Sequence, residues 1–110
     1  MELKEDTYKT IQKGLYVTVN EPGGTGRAAR VTGVRVGGKT GSAENPQGEK
    51  THALFVACAP LDSPTVAIAV VAENAGHGGS IGAPIAGKVL RAYFDKFPEE
   101  KKAGLKESAQ

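Results

Sequence analysis

Gly33-Val34-Arg35-Val36-Gly37-Gly38-Lys39-Thr40 spells G-x-x-x-x-G-K-[ST], the pattern in which a glycine-rich turn, a lysine and a hydroxyl hold nucleotide phosphates. That chemistry depends on the element into which the motif leads. The turn must leave a strand and open into a helix, whose first amides and positive dipole end face the phosphates. Here Lys39-Thr40 runs into Gly41, Pro46 and Gly48, which make no helix, and Val34-Arg35-Val36 has the β-branched character of a strand. Gly24-Thr25-Gly26-Arg27-Ala28-Ala29 imitates the dinucleotide fingerprint G-x-G-x-x-A, with Glu44 at a plausible distance for a ribose hydroxyl. Its context is inverted as well. A helical pattern precedes these glycines where a strand is required, and Gly33, Gly37 and Gly38 interrupt any helix after them.

The other reactive side chains are scattered. Cys58 sits in an apolar run, where it behaves as a small buried hydrophobe, and no disulfide can form within the chain. His52 opens a strand and reads as a solvated or hydrogen-bonded structural residue. His77 lies in a glycine corner without partners at metal spacing, so no metal site and no cofactor are expected.

The elements that must position these groups follow from periodicity. Between Glu5 and Glu21, Tyr8, Ile11, Leu15 and Val19 recur at three- and four-residue steps, predicting an amphipathic helix with those residues on its buried stripe, closed by Pro22-Gly23-Gly24. Residues 23–32 read as a loop. An extended segment begins at Val34 and runs through Lys39-Thr40-Gly41-Ser42-Ala43 into a polar turn, Glu44 to Lys50. His52–Ala59 and Thr65–Ala72 predict two antiparallel strands joined by Pro60–Pro64. Both parities of each run are apolar, which predicts cover on both sheet faces. After the Gly76-His77-Gly78-Gly79 corner, Pro84 fits the first turn of a second helix, with Ile81, Ile85, Val89, Tyr93 and Phe97 as its buried stripe. Residues 98–110 are lysine- and glutamate-rich and read as a disordered tail behind a folded portion at 1–97. About three strands are fewer than an independent sheet usually has, so this looks like part of a larger one.

Composition bounds the rest. A chain of 110 residues, 39% hydrophobic and with a net charge of +2, is the size of one small domain. Its cations are dispersed, which gives no footprint for nucleic acid. No apolar run approaches the roughly 20 residues of a membrane helix, and the charged N-terminus does not read as a signal peptide.

Gly38-Lys39-Thr40-Gly41-Ser42-Ala43-Glu44-Asn45, followed by His52-Ala53-Leu54-Phe55 and Ala59-Pro60, resembles the third active-site motif of penicillin-binding proteins, K-T-G, which accompanies S-x-x-K and S-x-N. The likeness runs in order from Gly14-Leu15 and Gly23-Gly24-Thr25-Gly26 to Val71-Ala72-Glu73-Asn74 and Ala83-Pro84-Ile85-Ala86. It is to the C-terminal portion of class B, monofunctional peptidoglycan transpeptidases, elongation-type penicillin-binding protein 2 among them. The resemblance implies an α+β, partial serine β-lactamase/transpeptidase-like fold: an antiparallel sheet flanked by an N-terminal and a C-terminal helix. It implies that Lys39 stands beside a serine nucleophile and the substrate carboxylate, and that Thr40 and Ser42 offer hydroxyls to the carboxylate of a D-alanyl-D-alanine stem peptide or a β-lactam. Gly41 would keep the strand slim, and the Ser42 amide would be an oxyanion donor. Strand alternation should send Lys39 and Thr40 to opposite faces, so the site is expected to straddle an edge strand.

The same resemblance marks the motifs that this stretch lacks. Ser42, Ser63 and Ser80 are followed three residues later by Asn45, Val66 and Ala83, Ser108 lies too near the end, and no serine heads an S-x-N triplet. The isolated chain is therefore expected to be inactive, with the remaining N-terminal part of the domain as its partner and the extracytoplasmic face of the inner membrane as the parent protein's location. A P-loop-like nucleotide module and a non-catalytic interaction module are the alternatives.

Overall fold

The computed structural model describes residues 2–46, 48 and 50–101. Helix α1 (Glu5–Asn20) leads through a 3-10 turn at Arg27–Ala29 into three strands, β1 (Gly37–Ala43), β2 (His52–Ala59) and β3 (Val66–Ala72). A π-type turn at Gly78–Gly82 passes into α2 (Ala83–Lys96), and Pro98–Glu100 forms a last 3-10 turn. The sheet is antiparallel in the order β1-β2-β3, with Thr40 opposite Phe55 and Phe55 opposite Val70. Of the expected tail, residues 98–101 are described, and 102–110 lie outside the described residues.

One face of the sheet holds the core. Ala53, Phe55, Ala57 and Ala59 alternate along β2 and are buried, joined by Val19 from α1, Ala29, Val31 and Val36 from the entry loop, and Ala83, Ala86, Leu90 and Phe94 from α2. Burying side chains such as Phe55, Phe94 and Leu90 contributes about 1.5–3 kcal/mol each. The other face is largely open among the described residues: Val56 keeps 51% and Val71 66% of its surface. The expectation of cover on both faces is thus met on one only, as in a sheet cut from a larger one.

The two helices correct the expected stripes. On α1, Val19 is buried and Leu15 half-buried, but Tyr8 and Ile11 are 50% and 49% exposed. Only the C-terminal half of α1 meets the edge strand: Leu15 and Val19 lie over Gly37 and Gly38, and Asn20 Nδ2 donates to the Val36 carbonyl at 2.8 Å. On α2 the buried positions are Ala83, Ala86, Gly87, Leu90 and Phe94, whereas Ile85 and Val89 are 42% and 51% exposed and Tyr93 and Phe97 half-buried. Close approach decides this rotation. A Cβ on Gly87 would come within 2.4 Å of the Ala28 carbonyl oxygen, so the helix packs by its small residues and turns the β-branched ones outward.

The β2–β3 connection anchors the entry to β1. Leu61 N donates to the Arg35 carbonyl at 2.7 Å, and the Arg35 guanidinium lies 3.1 Å from Asp62 Oδ2 and 4.8 Å from the Tyr16 ring centre. Helix, hairpin and edge strand are thereby joined at one end, leaving residues 39–43 at the other.

Candidate functional site

Along β1, alternation puts Thr40 and Ser42 on the face shared with Phe55 and Ala53, and Lys39 and Gly41 on the face shared with Val56 and Leu54. Thr40, Gly41 and Ser42 line one pocket of about 610 Å³, closed from the far side by His77, Gly78, Gly79 and Ser80 and at one end by Thr25. Its polar contacts are short. Thr25 Oγ1 lies 2.8 Å from Thr40 Oγ1, Ser42 Oγ 3.1 Å from His77 Nδ1, and Ser80 Oγ donates to the His77 carbonyl at 3.2 Å.

Two glycines allow this closeness. A Cβ on Gly78 would stand 2.1 Å from the Leu54 carbonyl oxygen and 2.6 Å from that of Gly41, and one on Gly79 would stand 2.4 Å from the Thr25 carbonyl oxygen. The corner backbone therefore lies directly on the strands. Gly41 differs: a Cβ there would meet Leu54 Cβ at 3.5 Å, an ordinary contact, so nothing within the described residues requires glycine at that position.

The corner is clamped from behind. Ala75 N and Gly76 N donate to the Thr51 carbonyl at 3.1 and 3.0 Å, and Thr51 Oγ1 returns a 2.6 Å bond to the Gly76 carbonyl. Asn74, at φ 54°, donates its amide to His52 Nδ1 at 3.1 Å, and its side chain accepts from Asn45 Nδ2. Because a backbone amide can only donate, His52 Nδ1 is the acceptor of that bond. His52 is accordingly a structural tie, as its place at the strand start suggests.

Of the residues singled out from sequence, Thr40, Gly41 and Ser42 meet at the pocket and Lys39 does not line it. Lys39 is exposed on the opposite side of the strand, with Nζ donating to the Thr40 carbonyl at 2.7 Å. Sequence reasoning misses Thr25, His77 and Ser80 as site residues, since Thr25 and His77 reach the strand across 15 and 35 positions of chain. Their local signal is no more than a polar side chain beside glycine. Burial pushes the Cys58 thiol above its ordinary range, in keeping with an unreactive cysteine.

The phosphate-loop alternative fails on this geometry. Lys39 and Thr40 lie inside a strand that continues to Ala43, with no helix mouth after them.

The model of the penicillin binding protein transpeptidase domain matches residues 1–91. Peptidoglycan D,D-transpeptidase MrdA of Haemophilus influenzae is 36% identical over 90% of this chain, and Stage V sporulation protein D of Bacillus subtilis 39% identical over 88%. The chain covers 18% and 16% of those two proteins, less than a fifth of either. Among solved structures, Pseudomonas aeruginosa PBP2 in complex with WCK 5153 superposes with a TM-score of 0.75 at 30% identity, over 86% of this chain and 21% of that one. The ceftriaxone acyl-enzyme complex of penicillin-binding protein A from Mycobacterium tuberculosis gives 0.55 at 36% identity, over 60% of this chain and 17% of that one. The fold is thus a portion of the penicillin-binding, serine β-lactamase-like transpeptidase architecture. The chain belongs to the penicillin-binding protein transpeptidase domain family, on the class B side. No helix among the described residues is long and apolar enough to cross a membrane.

Proposed function

We propose that this chain is the C-terminal part, at residues 1–97, of a peptidoglycan D,D-transpeptidase of the elongation type, with 98–110 as a charged tail, and that β1 is the substrate wall of its acyl-transfer site. The observation that carries this reading is the division of β1: two hydroxyls on alternate residues face one pocket while the neighbouring lysine projects from the other side. A carboxylate at the end of a D-alanyl-D-alanine stem peptide, or on a β-lactam, lies at the strand rim and accepts from Thr40 and Ser42. Bonds of this kind to a charged group are worth about 1.5–3 kcal/mol. Lys39, on the face that the rest of the domain covers, supplies positive potential to the serine of an S-x-x-K motif carried there. The Ser42 amide donates to the oxyanion as the acyl bond forms.

Gly41 supports the same reading. Packing among the described residues does not account for its missing side chain, and close approach of the acylating ligand along the strand does. The exposed Val56 and Val71 mark where the remaining domain docks. The site works at the periplasmic or outer face of the inner membrane, where peptidoglycan is.

Labelling by a fluorescent penicillin tests the proposal in the complete transpeptidase domain that carries this segment. Thr40→Val and Ser42→Ala should each slow acylation by about tenfold or more, the equivalent of one charge-assisted hydrogen bond. Labelling at the parent rate in both variants, or saturable ATP binding by the chain, would overturn it.

A further inference from the structure

Among the described residues, His77 is the one ionisable side chain lining the pocket, and the roles assigned to the K-T-G strand leave it none. Its place is tightly determined. The two reciprocal hydrogen bonds between Thr51 and Gly76, the Asn74 contacts with His52 and Asn45, and the seat of Gly78 on the Gly41 and Leu54 carbonyls fix the residues on both sides of it. Those constraints hold Nδ1 at 3.1 Å from Ser42 Oγ.

A serine hydroxyl has one proton to give and two lone pairs to accept with. If that proton points at His77 Nδ1, Ser42 turns only lone pairs toward the pocket, and lone pairs repel a carboxylate. If His77 carries a proton on Nδ1 and donates it to Ser42 Oγ, the serine proton is released toward the anion. Only the second arrangement binds the ligand's negative charge, and polarisation along the chain strengthens the outer bond.

We propose that His77 is a positioning residue that donates through Nδ1 to Ser42 and thereby aims the Ser42 hydroxyl at the carboxylate of the stem peptide or β-lactam. The inference rests on the carboxylate-binding role proposed for Ser42. It names a determinant of anion affinity outside the K-T-G strand, built from the corner between β3 and α2.

Two isosteric variants separate a donor from an acceptor. In the complete transpeptidase domain carrying this segment, His77→Asn places an amide nitrogen where Nδ1 stands and should keep penicillin acylation within about threefold of the parent. His77→Asp presents only oxygen, captures the Ser42 proton and adds a negative charge, so acylation should fall at least about tenfold, mainly as weaker binding before the chemical step. Asparagine and aspartate share one shape, so a folding defect common to both cannot produce that difference. The second measurement is a double-mutant cycle: with Ser42→Ala already present, His77→Ala should cause no further loss.

Equal rates in the Asn and Asp variants, or a His77→Ala loss of the same size with and without the Ser42 hydroxyl, would overturn the inference while leaving the K-T-G reading intact. If Ser42→Ala and Thr40→Val alone leave acylation unchanged, the reading beneath it fails and this inference falls with it.

Discussion

On one face of the sheet, Ala53, Phe55, Ala57 and Ala59 lie under α2 and the Arg27–Ala29 turn, while on the other, Val56 and Val71 stand largely in solvent with Lys39 beside them. Both faces carry the same kinds of apolar side chain. They differ in whether the described residues supply the cover, which fits a chain that spans less than a fifth of the length of its curated relatives. The proposed function divides along the same line: the covered face backs the hydroxyl pocket, and the open face carries the Lys39 ammonium that the proposal sets toward the rest of the domain.

Substitutions on the two faces sharpen this contrast. Phe55→Ala should cost the folded state about 3–5 kcal/mol, as truncation of a large buried ring does, read from urea unfolding of the complete domain. A loss under about 1 kcal/mol would mean that the covered face is not the core. Gly78→Ala comes next, because its methyl meets two carbonyl oxygens at well under contact distance; a destabilisation of about 1–3 kcal/mol is expected, with disruption of the pocket. Gly41→Ala, on the edge strand, should leave stability unchanged or raised by about 0.5 kcal/mol, since the methyl fits, yet slow penicillin acylation by about tenfold to a hundredfold. Normal acylation of that variant would remove the ligand-approach reason for glycine.

Smaller effects test the missing layer. Val71→Ala should change the stability of the 110-residue chain by less than about 0.5 kcal/mol, as at other exposed positions, and cost about 1–2 kcal/mol in the complete domain. The same small value in both settings would mean that nothing covers the open face. Cys58 offers a chemical check on that face. Its raised thiol pKa leaves less thiolate at a given pH, so alkylation should speed up only as pH rises through a range above that of an ordinary thiol, and should slow further in the complete domain.

Much of this was legible in the sequence for a physical reason. Strand period and β-branched content located β2 at His52–Ala59, placed β3 within one residue at its start, and exposed the false phosphate loop, because a strand through Lys39-Thr40 is a local property. The buried faces of the helices were not legible. Periodicity favours the bulkiest stripe, Ile81, Ile85 and Val89, but the sheet and the Arg27–Ala29 turn select the stripe that can approach closest, which is Ala83, Ala86, Gly87 and Leu90. The pocket was half legible. Thr40 and Ser42 are named by the motif, whereas Thr25 and His77 become site residues only through contacts across the fold.

The most direct test is a crystal structure of the complete domain acylated by a penicillin. The ligand carboxylate should lie about 3 Å from both Thr40 Oγ1 and Ser42 Oγ, with the ligand running antiparallel along residues 39–42 and Lys39 turned toward the acylated serine. A carboxylate bound away from β1, with those two hydroxyls contacting only Thr25 and His77, would contradict the account.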